Sequence, residues 1–166
     1  MAENDTVFRA RDLLRAHSVA DLPSAERLSG SAAEDDTFFS TMLEAAFLVA
    51  AADGELSKEE AGSLVDIIVQ MGGEAVTPGQ LAESVNAFSA ALEKEGRLAR
   101  IGGLANALSD PGARREVLGF AALVALCDHD LAPSELYVLH ALGKGFSFDS
   151  QAVNGIIRSV REAIGE

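Results

Sequence analysis

The sequence predicts an all-α fold, a bundle of seven to eight helices, from three observations. Apolar residues recur at helical spacing in most segments. Cap-then-proline signals open several of those segments. No segment sustains period-two alternation, and no Asn-Gly hairpin turn occurs.

Each element follows in order. Residues 6–17 form a short helix with Val7, Ala10 and Leu14 on one face. Residues 18–35, SVADLPSAERLSGSAAED, carry Pro, Gly and Ser without periodicity and read as a linker. This divides the chain into an N-terminal helix-and-linker extension, 1–35, and a helical domain, 36–166. In TFFSTMLEAAFLVAAA, residues 37–52, an inward face is made by Phe39, Met42, Leu43, Ala46, Phe47 and Ala50. A helix over 58–71 turns Leu64, Ile67, Ile68 and Met71 inward and stops at Gly72-Gly73. Thr77-Pro78-Gly79-Gln80 is a capping box with Pro at the first helical position, followed by Leu81, Val85, Phe88 and Leu92. A glycine-interrupted helix covers 97–108. Asp110-Pro111 opens a long helix whose later part, VLGFAALVALC, is apolar nearly all round and marks the buried centre. Pro133 starts a helix to about Leu142. Asp149 or Ser150 caps the last one, with Val153, Ile156, Ile157, Val160 and Ile164 inward.

Composition bounds what such a bundle does. The 166 residues are 48% hydrophobic and 23% charged, a globular balance. Aromatics are only 5% and Trp is absent, so the core rests on Ala, Leu, Val and Ile with eight Phe. A net charge of −13 disfavours nucleic acid and anionic lipid, which need a basic patch. It favours cations and basic protein surfaces. The single cysteine, Cys127, excludes an internal disulfide and a Cys-based zinc finger within one chain. The N-terminus is acidic, with no apolar run of a secretory signal, and no stretch near ~20 apolar residues spans a membrane. The expected location is the cytoplasm. No G-x-S-x-G, phosphate loop or H-E-x-x-H is present, and GKGFS at 143–147 lacks the strand a phosphate loop requires.

The chain also contains a repeat. With a 75-residue shift, LVAAADGELSKEEAGSL (48–64) overlies LVALCDHDLAPSELYVL (123–139), with seven of seventeen positions identical. Asp53 aligns with Asp128, Leu56 with Leu131 and Glu60 with Glu135. Each copy is a long helix, a tight acidic turn and a second helix, so two hairpins of one design suggest a pseudo-symmetric bundle.

These two stretches, FLVAAADGELSKEE and GFAALVALCDHDLAPSELYVLHALGKGFSFD, resemble the TerB-like proteins over about residues 36–165. In that family an apolar helix ends in an acidic turn, and the unit is used twice. The second copy departs from it with His129 in place of Gly and with Pro133-Ser134 in place of charged residues. The resemblance implies a non-enzymatic module linked to tellurite resistance or stress. It also implies metal binding by the acidic turns, and protein partners that include the cytoplasmic face of an integral membrane protein. The module would then sit peripherally at the inner membrane.

Read as chemistry, the turns are not EF-hands. With Asp53 at loop position 5, Gly54, Ser57 and Glu60 fall where a calcium loop wants them. Positions 1 and 3 then fall on Val49 and Ala51, and on Val124 and Leu126 in the second copy, none of which offers a side-chain oxygen. Much of the motif is explained by capping. Ser57 with Glu60 makes a capping box, and Pro133 with Glu135 sits at the first and third helical positions. Asp53 and Asp128 are different. Each follows the C-terminal end of an apolar helix, where the dipole disfavours a carboxylate. A turn amide, a Lys or Arg, or a bound cation would offset that. If the hairpins pack as mates, Asp53, Glu55, Glu60, Asp128, Asp130 and Glu135 form one acidic pocket. Oxygen-only ligands there select Ca²⁺ or Mg²⁺. Cys127, His129 and His140 lack the spacing of a transition-metal site. The alternatives are a structural or oligomerisation module without ligand, and an enzyme with an acidic Mg²⁺ site. Oligomeric state is open.

Overall fold

A computed structural model describes residues 36–52, 58–72, 78–128 and 131–164. The described residues form seven helices and no strand. They are α1 (Asp36–Ala50), α2 (Lys58–Gly72), α3 (Pro78–Glu95), α4 (Arg97–Ala107), α5 (Pro111–Asp128), α6 (Pro133–Gly145) and α7 (Ser150–Ala163). The helix expected at 6–17 and its linker lie outside the described residues.

The helix starts follow the capping chemistry. Asp110 Oδ2 accepts the Ala113 amide at 2.8 Å, and Pro111 opens α5. Asp149, rather than Ser150, caps α7: its Oδ1 accepts the Ala152 amide at 2.8 Å. Pro133 opens α6, and Glu135 reaches back to accept the Ala132 amide at 2.8 Å. Gly96 joins α3 to α4 with φ +89°, which a residue bearing a Cβ rarely adopts.

The end of α6, at Gly145, is three residues later than the expected end near Leu142. It closes in a Schellman turn: the Phe148 amide donates to Gly143 O at 2.8 Å and the Ser147 amide to Lys144 O at 3.0 Å. Gly143 is needed inside the helix because a Cβ there would collide with the Val153 side chain of α7. GKGFS is therefore a helix end pressed against its neighbour.

Two helices form the centre, α1 and α5, and they make the most extensive contact in the fold. The run Val117–Leu126 is buried throughout, as its all-round apolar character predicts. The one-face reading of 37–52 is corrected, because Thr41 to Val49 is buried on every side. The reason is position. Helix α1 is covered by α3, α4 and α6 as well as by α5, so it has no solvent face along that run. Of the inward residues read for the other helices, Leu64, Ile68, Leu81, Val85, Val153, Ile156, Ile157, Val160 and Ile164 are buried. Phe88 and Leu92 pack half-buried against the core, with Phe88 tilted at 46° to Phe47 and ring centroids 5.9 Å apart.

The hairpins exchange partners, as pseudo-mates do. Helix α1 of the first packs on α6 of the second, and α5 of the second packs on α2 of the first.

Candidate functional site

Side-chain contacts establish which ends of the helices lie together. Arg97, the first residue of α4, donates to the carbonyl of Ala52 just beyond α1, at 2.9 Å. Arg100 meets Glu44 in the middle of α1. Ser40 and Thr41 near the start of α1 lie beside Gly103, Leu104 and Ala107 of α4. Helices α1 and α4 are therefore antiparallel. At the other end, Arg114 in the first turn of α5 gathers the carbonyls of Leu108 (2.5 Å), Ala105 (2.7 Å) and Phe146 (3.1 Å). So α4 and α6 finish where α5 begins. It follows that α1 and α5 run in the same direction, side by side, and finish at the same end of the bundle. The two acidic turns leave from that end.

Of the sequence-derived site residues, Asp53, Glu55 and Asp130 lie outside the described residues. Glu60 is in the first turn of α2 and Asp128 is the last residue of α5. Glu135 is buried, and one of its oxygens is held by the Ala132 amide, which is the capping role. Among the described residues, no three His, Cys, Asp or Glu side chains gather as a metal-binding group.

The physics of this end is set by backbone. Two parallel neighbours of 15 and 18 residues direct the negative poles of their dipoles the same way. Neither has a basic residue in its last turn. Arg97 meets the carbonyl of Ala52 on the α1 side. Nothing in the sequence pattern singled this arginine out.

Sequence reasoning also missed the pair that locks α4 to α1. Glu44 is 3% exposed, and Arg100 grips it through Nε at 2.6 Å and an Nη at 2.7 Å. The Glu44 hydrogen bond holds the Arg100 guanidinium above its ordinary, already high value, while burial opposes this. The signal was a lone acid in an otherwise apolar run. His140 bonds Asn154 of α7 through Nε2 at 3.1 Å, as a packed helix histidine.

The fold and this end together define an all-helical bundle built on a duplicated helix–acidic turn–helix unit. The model of one protein family, described as tellurite resistance protein TerB, matches residues 40–157. That is more than half of the chain, and the protein belongs to the TerB family. No curated protein and no solved structure matches it. Among the described residues no helix is long and apolar enough to cross a membrane.

Proposed function

We propose that the protein is a non-enzymatic TerB-family module that uses its acidic end to bind a divalent cation, Ca²⁺ or Mg²⁺, or a basic face of a protein partner. The observation that supports this is the parallel pairing of α1 and α5. It sums two negative helix poles at one end, and Asp53 and Asp128 follow there. Glu55, Glu60 and Asp130 complete the oxygen donors, and Glu135 braces the second turn. Hard oxygen ligands suit hard cations. The cytoplasmic side of a membrane protein, with its excess of Lys and Arg, suits the same charge. In this reading the module works in the cytoplasm or peripherally at the inner membrane, in a stress setting, with tellurite resistance being what its family's description names.

A second reading, a structural module without ligand, is favoured by two contacts. Arg97 already serves the Ala52 carbonyl, and Glu135 already serves the Ala132 amide.

Thermal melts separate the two. Melts are recorded in EDTA, then with Ca²⁺, Mg²⁺, Mn²⁺ and Zn²⁺, each matched in ionic strength with NaCl. A cation bound only by the folded state stabilises by about 1.4 kcal/mol at ten times its Kd. The rise should be lost in the Asp53→Asn, Asp128→Asn double variant. No rise at millimolar ion removes the cation and leaves docking or a purely structural role.

A further inference from the structure

On the flank of α4 opposite Ser40 and Thr41, an open groove of about 520 Å³ runs between α4 and α6. Its floor is Ile101, Gly102 and Ala141, and its rims are Leu98 and Tyr137. Leu98 is 80% and Tyr137 67% exposed, the large hydrophobics left uncovered among the described residues. A Cβ on Gly102 would meet nothing within 4 Å, so the backbone of α4 is itself accessible there.

We propose that the N-terminal segment of this chain, residues 6–17, docks in this groove as an amphipathic helix. Thirty-five residues precede α1, and the chain enters α1 against the other flank of the same helix α4. The stretch from Leu14 to Asp36 reaches about 70 Å when extended. A domain of this size has a radius of gyration of about 14 Å, so reach is no constraint. Val7, Ala10 and Leu14 supply an apolar face for Leu98, Ile101 and Tyr137. Asp12 of the segment supplies a carboxylate for Lys144, the charged residue lining the groove. A tethered segment is present at an effective concentration on the order of millimolar, so it prevails over a partner of equal affinity at micromolar concentration.

Tyr137 is a built-in reporter, since the chain has one Tyr and no Trp. Acrylamide quenching of its fluorescence is compared between the full-length protein and the full-length Val7→Asp, Leu14→Asp variant. Both changes precede residue 36 in the chain, and helical circular dichroism checks that the bundle stays folded. The expected result is weak quenching in the parent and about twofold or stronger quenching in the variant, at every protein concentration. Equal quenching in the two proteins overturns the proposal. Protection that grows with protein concentration overturns it in favour of a second copy in the groove.

Discussion

Ser147 stands in the left-handed region at φ 71°, at the position of the α6 Schellman turn where glycine is usual. Its Cβ costs about 1–2 kcal/mol there. Ser147→Gly recovers that and gives back part of it as unfolded-chain entropy. A net gain of about 0.5–1 kcal/mol in chemical denaturation is expected. Arg114 is the opposite case, a residue already in its best place. Its guanidinium binds three carbonyls and lies 5.5 Å from the Phe146 ring centroid. Arg114→Lys keeps the charge and loses the planar fork. It should cost about 2 kcal/mol, measured the same way, because carbonyls at the ends of α4 and α6 lose partners. Neither role shows in the sequence. Arg114 lies in RREV like any helix-surface arginine, and its partners come from the end of α4, its connection to α5, and the residue closing α6.

At the scale of elements, helix boundaries were legible because caps are local. Asp110-Pro111, Pro133 with Glu135, and Asp149 announce their helices within four residues. The depth of α1 was not. Its neighbours come from α3, α4, α5 and α6, and its one buried acid has its partner 56 residues away. A double-mutant cycle tests that lock. Arg100→Met should cost about 3 kcal/mol, because it strands the buried Glu44. Glu44→Gln should cost less, about 1–2 kcal/mol, because Arg100 is part-exposed and keeps its pair with Glu95. The coupling should be about 1–2 kcal/mol. The raised guanidinium value means that the arginine side of the lock contributes fully at neutral pH and is lost only as pH rises above the ordinary arginine range. Glycines divide in the same way. Gly143→Ala forces a methyl onto the stiff Val153 side chain and should destabilise by about 1–2 kcal/mol. Gly155→Ala in α7, with nothing within 4 Å, should stabilise by about 0.5–1 kcal/mol. A thermal-melt ranking with Gly143→Ala at or above Gly155→Ala would show that α6 and α7 are less closely packed than this.

Over the whole molecule, the central fact is the parallel pair. Nature's usual neighbours in a bundle alternate direction, which cancels dipoles. Here α1 and α5 are first helices of two copies of one hairpin, and each is flanked by the return helix of the other copy. Their negative poles therefore add at the end from which both acidic turns depart. That repulsion should make the ion-free protein gain stability as NaCl rises, because exposed like charges are screened beyond about 10 Å at 0.1 M salt. A melting temperature that falls with salt would show that attractive pairs dominate instead. Divalent ions should exceed this screening effect at matched ionic strength if the acidic end binds them.

The sequence by itself determined the fold class, the helix starts, the duplicated hairpin and the family, because periodicity, caps and repeats are written in neighbouring residues. It also reduced the motif's puzzle to Asp53 and Asp128. Only the tertiary structure decided that the hairpins pack with α1 and α5 parallel. It alone showed that Arg97 reaches the end of α1, that Arg100 reaches Glu44 and that Leu98 and Tyr137 face each other across an open groove. Each of these joins residues far apart in the chain, so each depends on how the helices meet, which no local pattern encodes.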